Sequence, residues 1–155
     1  MTKLQSFFLF LSRISIGFMM LYAGITKVID PNWSSVGYLK GAKNMVGFYS
    51  FLQGSSVLPI VDFINEWGLT LLGLSLIFGV GVRLSAPLGA LLMVLYYIPL
   101  GFPHPNPHAL IVDEHIIYAC TLLFFGAIDA GKYWGLSEKL QNTFLTKIPV
   151  LGKFI

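Results

Sequence analysis

The chain has 155 residues, of which 55% are hydrophobic and 11% are charged. Because soluble domains carry about 25% charged residues, and because the mean hydropathy is +0.75, the composition excludes an ordinary soluble domain. The net charge of +3 is spread along the chain without a run of Lys and Arg, which excludes the basic patch typical of nucleic-acid binding. We therefore predict one integral membrane domain over residues 1–155, with the lipid bilayer as its first partner.

Four segments are predicted to cross the membrane, since a spanning helix needs about 20 mostly apolar residues and each segment reaches or approaches that length. They cover about residues 7–29, 59–82, 86–100 and 110–130. The predicted fold class is an all-α membrane protein, a bundle of four transmembrane helices with a tight hairpin at residues 81–85. The first segment is too long for the apolar core of a signal peptide, and no small-residue cleavage site follows it, so we expect it to be retained.

An additional amphipathic helix is predicted over residues 38–53, between the first two spans. One face would be polar and the other apolar, with Lys40, Lys43, Asn44 and Gly47 opposite Tyr38, Ala42, Met45, Tyr49 and Leu52. A helix of this kind lies flat in the membrane interface. A re-entrant helix and a cap on the bundle fit the same pattern and stay open as alternatives.

The basic residues predict the orientation in the membrane, because cytoplasmic loops carry an excess of Lys and Arg. With both termini in the cytoplasm, six basic residues face inward, namely Lys3, Arg83, Lys132, Lys139, Lys147 and Lys153. Three face outward, namely Lys27, Lys40 and Lys43. We therefore expect a multi-pass protein with both termini cytoplasmic.

One stripe of the first span contains both of its basic residues. It consists of Arg13, Gly17, Met20, Gly24 and Lys27, which recur at helical spacing. The glycines would let a second helix approach closely. A charged residue inside a span costs about 2.5–3.5 kcal/mol, so Arg13 either reaches the interface or has a partner.

At the inner level, Arg13, Arg83 and Asp129 are interpreted most simply as an ion pair that locks helices together.

The outer ends of the spans hold a richer set of polar residues. These are Lys27, Glu66, Asp113, Glu114 and His115, joined by His104 and His108 of the stretch "PHPNPHALIVDEH" at residues 103–115. Cations can hold an anion, and carboxylates with imidazoles can carry protons. The three prolines stiffen the stretch, and an acidic helix start opposes the helix dipole. The stretch is therefore either the rim of a site or a connector.

No metal site is predicted. His104 and His108 are separated by "PNP", which breaks any helix, and neither a His-Glu-x-x-His nor a Cys-x-x-Cys pattern is present. The sequence also has no glycine pattern for flavin or NAD, no haem-attachment motif and no cysteine set for an iron–sulfur cluster. The single cysteine, Cys120, lies in an apolar run and is expected to be a buried, inert thiol.

Two segments resemble the DoxX/DoxD family of small four-helix membrane proteins. "RISIGFMMLYAGITKVIDP" is similar to the family's opening signature, in which an Arg, two Gly and a Lys recur, here Arg13, Gly17, Gly24 and Lys27. "DEHIIYACTLLFFGAIDAGKYWGLSEKL" is similar to the last span and tail of the DoxD branch, at Gly131, Lys132, Trp134, Gly135 and Leu136. Ser137 stands where the family often places Asp.

The resemblance implies a membrane subunit of thiosulfate:quinone oxidoreductase in the inner (cytoplasmic) membrane of a prokaryote. That enzyme couples two thiosulfates into tetrathionate, passes the electrons to quinone and has a small DoxA partner subunit. On this reading, anion binding would fall to Lys27, Arg13, His104, His108 and Asp113. Catalytic proton transfer would fall to Glu66, Glu114 and His115, and quinone binding to Trp67, Tyr96 and Tyr97.

Two other classes of function stay open at the level of sequence. The chain could be a non-enzymatic scaffold or anchor subunit of a redox or respiratory complex, in which case the polar stripes pack helices. It could instead be a small anion transporter whose mouth is the outer polar group. The glycine stripe is also compatible with a homodimer.

Overall fold

The computed structural model describes residues 1–102 and 109–137. These residues form α-helices without any strand: α1 Lys3–Val28, α2 Val36–Lys40, α3 Val46–Leu52, α4 Leu58–Phe78, α5 Val82–Tyr97 and α6 Glu114–Ala127. Short 3-10 turns follow α5 at Ile98–Leu100 and α6 at Ala130–Lys132. The all-helical prediction is confirmed for this part of the chain.

Three helices are long and apolar enough to cross a membrane, namely α1, α4 and α5 together with its 3-10 turn. This is consistent with a multi-pass membrane protein. The fourth apolar helix, α6, has 14 residues and a length of about 21 Å at 1.5 Å per residue, which is shorter than a bilayer core of about 30 Å. The count of four spans therefore stays a prediction.

The long first helix begins at a capping box. The backbone N–H of Gln5 donates to Thr2 Oγ1 at 3.2 Å, and the Thr2 N–H donates to Gln5 Oε1 at 2.8 Å. These reciprocal bonds satisfy backbone donors that have no partner within the helix. The capping box therefore fixes where α1 starts.

Glycines bring α1 and α4 together as an antiparallel pair. Gly17 of α1 lies against Leu76, and Gly24 lies so close to the backbone N of Thr70 that a Cβ there would overlap it. Gly73 of α4 meets the backbone of Leu21 in the same way. Helices that touch backbone to backbone gain dispersion energy along the contact. The predicted glycine contact on the α1 stripe is therefore present, and α4 is its partner.

The turn between α4 and α5 lies at residues 79–81, and not at residues 81–85 as predicted. Both Gly79 (φ +68°) and Gly81 (φ +66°) adopt the left-handed conformation that glycine enters without steric cost. Helix α5 has already begun at Val82. The hydroxyls of Ser75 and Ser85 are 2.6 Å apart across the turn, which ties the two helices together at this end.

Helix α6 packs antiparallel to α5, so the start of α6 lies beside the end of α5 and the end of α6 lies beside the start of α5. Gly89 of α5 approaches Leu122, and Gly126 of α6 approaches Pro87. Leu122 and Phe125 are fully buried in the core that α1, α4, α5 and α6 share. We call the end with residues 29–57 and 109–113 the loop end, and the end with residues 79–81 and 128–137 the hairpin end.

The single amphipathic helix predicted over residues 38–53 is wrong. The segment forms two short helices, α2 and α3, separated by residues 41–45, and Met45 adopts a left-handed φ of +49°. Tertiary contacts override the helical pattern. The Lys43 N–H donates to the Pro99 carbonyl at 2.8 Å, and the buried Tyr49 donates its hydroxyl to the Leu95 carbonyl at 2.8 Å. The segment therefore packs onto the end of α5.

Candidate functional site

The loop end contains a cavity of about 410 Å³, which we call the loop-end cavity. Its wall is formed by Lys27, Trp33, Ser34, Ser35, Tyr38, Asn65, Tyr96 and His115. Helices α1, α4, α5 and α6 each contribute at least one of these residues, and α2 contributes Tyr38. Three residues predicted from the sequence, Lys27, Tyr96 and His115, therefore meet in one place.

The Lys27 ammonium group is fixed at the wall of this cavity. Its Nζ donates to the Ala23 carbonyl at 2.6 Å and lies 5.4 Å from the centre of the Trp33 ring. Among the described residues, no carboxylate forms an ion pair with Lys27. An ammonium has three N–H donors, so a cation that uses one of them on its own helix keeps donors for an anion.

His115 is oriented by a carboxylate that also caps its helix. Its Nδ1 lies 2.7 Å from Asp113 Oδ2, while Asp113 Oδ1 accepts the backbone N–H of His115 at 3.0 Å and of Ile116 at 3.3 Å. Asp113 is buried and is the N-cap of α6. A carboxylate partner places the proton on Nδ1 and leaves Nε2 as the nitrogen that exchanges protons. The imidazole is thus held in one tautomer and one orientation.

Two tyrosines and an asparagine complete the wall. The Tyr96 ring packs edge-on against His115, with centres 6.0 Å apart, and its hydroxyl donates to Asn65 Oδ1. The Tyr38 hydroxyl donates to the Tyr96 backbone carbonyl. Burial, with smaller contributions from Tyr49 and Asp113, raises the pKa of Tyr38 to about 12. Tyr38 therefore stays protonated and remains a donor throughout the physiological pH range.

Asp62 is a structural residue of this site that the sequence analysis missed. Its carboxylate accepts the Ser34 hydroxyl at 2.8 Å, the Ser35 backbone N–H at 2.8 Å and the Ser35 hydroxyl at 2.5 Å. These bonds fasten the start of α2 to α4. A signal was present in the sequence, because Asp62, Asn65 and Glu66 fall on one face of α4 at helical spacing.

Several residues predicted for the site lie elsewhere. Glu66 is half-buried on α4 and Glu114 is exposed at the start of α6, and neither lines the loop-end cavity. Trp67 packs against Phe63 on the outer side of α4 with 41% of its surface exposed, and Tyr97 donates its hydroxyl to the Ile111 carbonyl. His104 and His108 lie outside the described residues.

Arg13 lies at the hairpin end, far along α1 from Lys27, and is completely buried. Its Nη1 donates to the Leu76 carbonyl at 2.6 Å, and its Nη2 donates to the carbonyls of Tyr133 at 3.3 Å and Trp134 at 3.4 Å. Leu76 is in the last turn of α4, where carbonyls lack helical partners and the helix dipole is negative. Arg13 does not line the loop-end cavity, and its predicted part in substrate binding stays a prediction.

The predicted inner ion pair is wrong. Asp129 pairs with Lys132, with 2.9 Å between Oδ2 and Nζ, and has a left-handed φ of +53°. Arg83 is exposed at the start of α5. Backbone carbonyls take the place of the carboxylate beside Arg13, because α4 ends within reach of its guanidinium group.

The tail after α6 packs against the turn between α4 and α5 at the hairpin end. The Leu136 N–H donates to the Phe78 carbonyl at 2.8 Å, and the Ser137 hydroxyl donates to the Gly79 carbonyl. Gly135 lies close enough to Gly79 that a Cβ would contact it at 3.1 Å. The two segments that carry the family resemblance, at opposite ends of the sequence, thus meet around Arg13.

Cys120 is exposed on the outer side of α6, so the expectation of a buried thiol is wrong. The helix turns this position away from Leu122 and the core.

Among residues 1–102 and 109–137, no three His, Cys, Asp or Glu side chains converge as a metal site would require.

Comparisons with protein-family models, with curated proteins and with solved structures give no match for this chain. Function is therefore inferred from the geometry of the loop-end cavity and from the resemblance of the two sequence segments.

Proposed function

We propose that the chain is the membrane subunit of a quinone-linked oxidoreductase that oxidises a small sulfur anion, with thiosulfate as the first candidate. The observation that carries the proposal is the meeting of the Lys27 ammonium and the Asp113-oriented His115 on the wall of one cavity. A cation can hold the anion, and an oriented imidazole can carry the protons that quinone reduction takes up.

Lys27 supplies the charge for anion binding. It is half-buried and lacks an ion-pair partner among the described residues, so its field is less screened than that of an exposed lysine. The hydroxyl-bearing residues Ser34, Ser35 and Tyr38 line the same space. An incoming dianion would therefore meet one cation surrounded by polar groups.

His115 supplies the proton path. Joining two thiosulfates forms one S–S bond and releases two electrons, and a quinone that accepts them also takes up two protons. With Nδ1 held by Asp113, the Nε2 atom can pass protons one at a time. Because the sequence has no flavin, haem or iron–sulfur motif, electrons would pass directly between the bound substrates or through a cofactor of a small DoxA-like partner subunit.

The test is thiosulfate-dependent reduction of a soluble quinone analogue by the protein in proteoliposomes, with and without its co-purified partner. Lys27→Met keeps the length of the side chain and removes its charge, so we expect KM for thiosulfate to rise by about tenfold or more, as loss of a partly buried charge contact predicts. Lys40→Met is the matched control, because Lys40 is exposed and does not line the cavity.

Three results would contradict the proposal. The first is an unchanged KM in Lys27→Met, and the second is the absence of turnover in the wild-type protein with and without the partner. The third is uptake of labelled thiosulfate into liposomes without quinone, which would indicate the transporter function.

A second candidate function, a non-enzymatic scaffold or anchor subunit, is favoured by the hairpin end. There the residues that carry the resemblance, including Arg13 and Gly135, form contacts within the fold. Under this alternative Arg13→Met would lower the yield of the assembled complex, whereas Lys27→Met would leave any partner's turnover unchanged.

A further inference from the structure

Helices α4 and α5 leave an apolar groove between them, which we call the α4–α5 groove. It has a volume of about 530 Å³, and its lining includes Ile64, Gly68, Leu71, Leu88, Leu92 and Leu95. Leu71, Leu88 and Leu91 line it and are more than half exposed. In a membrane these leucines face acyl chains, so the groove opens directly to lipid.

The two helices touch closely at residues that also line the groove. Gly89 lies against Leu72, and the Ser75 and Ser85 hydroxyls meet at 2.6 Å. On the open side Gly68 has no side chain, and a Cβ there would meet nothing nearer than Ile64 Cγ2 at 3.9 Å. The groove follows α4 from Ile64 to Ser75 over about 16 Å at 1.5 Å per residue.

A smaller cavity of about 200 Å³ lies between the groove and the polar site. It shares Ile64, Leu92 and Leu95 with the α4–α5 groove, and it shares Ser35, Tyr38, Asn65 and Tyr96 with the loop-end cavity. From the α4–α5 groove to the loop-end cavity, the lining thus changes from leucine and isoleucine side chains to side chains with hydroxyl and amide groups. A molecule that fits this lining has a long apolar chain and a compact head that accepts a hydrogen bond from Asn65, whose amide keeps one N–H after donating the other to the Val61 carbonyl at 2.8 Å.

We propose that the α4–α5 groove holds the isoprenoid tail of the membrane quinone, with the quinone ring reaching Tyr96 and Asn65. The identity of the amphiphile rests on the proposed function, whereas the position of its tail rests on the groove itself. A tail that moves from lipid into the groove gains no hydrophobic free energy, so selectivity comes from packing along the groove and from hydrogen bonds to the head.

The probe is a benzoquinone with a long isoprenoid tail that carries a diazirine group, photolysed with the protein in proteoliposomes, and the labelled peptides are identified by mass spectrometry. Gly68→Leu places a side chain in the groove without a steric clash in its own helix. Gly47→Leu is the matched control, because a Cβ at Gly47 meets nothing within 4 Å and the residue does not line the groove.

We expect label on peptides of α4 and α5 in the wild type and in Gly47→Leu, and about tenfold less in Gly68→Leu, as a loss of tail packing of this size predicts. A tail-free benzoquinone should bind wild type and Gly68→Leu equally. Label spread evenly over all exposed helix faces, or label unaffected by Gly68→Leu, would overturn the proposal. If the label follows the expected pattern but thiosulfate oxidation is absent, the groove assignment stands and the proposed function fails.

Discussion

At the level of single residues, the two basic side chains of the α1 stripe have opposite environments. Arg13 is completely buried and its guanidinium donates to three backbone carbonyls. Lys27 uses one donor on its own helix and lines a polar cavity. The sequence placed both on one face, but their roles differ because backbone carbonyls surround Arg13, whereas Lys27 lies on the wall of a cavity. Arg13 is therefore a packing residue and Lys27 a candidate binding residue.

We expect Arg13→Met to destabilise the protein by about 3 kcal/mol, because it leaves buried carbonyls without donors. The measurement is thermal unfolding in detergent, followed by tryptophan fluorescence. Arg83→Met is the control, since Arg83 is exposed and should change Tm little. If Arg13→Met kept the wild-type Tm and lost only substrate binding, the packing role would be refuted.

At the level of elements, α2 is held to the bundle by a carboxylate and not by its own helical propensity. It has five residues and no side-chain cap at its N-terminus, and helices this short are unstable alone. Asp62 supplies three hydrogen bonds from α4, and the Tyr38 hydroxyl adds one to α5. These bonds set the position of one wall of the loop-end cavity.

Asp62→Ala should release α2 from α4. We expect the backbone amides of Val36–Lys40 to exchange with deuterium about tenfold faster, since losing these hydrogen bonds costs about 1.4 kcal/mol or more. Glu66→Ala is the matched control, because Glu66 is half-buried on the same helix and makes no ion pair with any described residue. Equal exchange in the two variants would show that Asp62 does not hold α2.

At the level of the whole molecule, the antiparallel order of the long helices places the tail beside the α4–α5 turn. Arg13 reaches the Tyr133 carbonyl, and Leu136 bonds to Phe78, so α6 runs from the loop end to the hairpin end although it is short. The loop-end cavity and the Arg13 contacts therefore lie at opposite ends of the bundle. If the bundle crosses the membrane, these two ends face opposite sides.

The predicted orientation can be measured with single cysteines in a Cys120→Ser background. We expect Lys40→Cys to react with a membrane-impermeant maleimide added to intact cells, because the predicted orientation places the loop end outside. Arg83→Cys and Lys132→Cys should react only after permeabilisation, and both positions are exposed. Labelling of Lys132→Cys from outside, with Arg83→Cys protected, would contradict an arrangement in which both residues lie at the hairpin end.

By itself the sequence determined the all-helical class, the approximate positions of the apolar helices and the glycine face of α1, because these follow from local hydrophobicity and spacing. Only the tertiary structure decided that carbonyls satisfy Arg13, that Asp62 anchors α2, that residues 38–53 divide into two helices, and that Lys27 meets His115. Each of these depends on segments far apart in the chain, and sequence periodicity fixes the direction of a side chain on its helix but not what it meets.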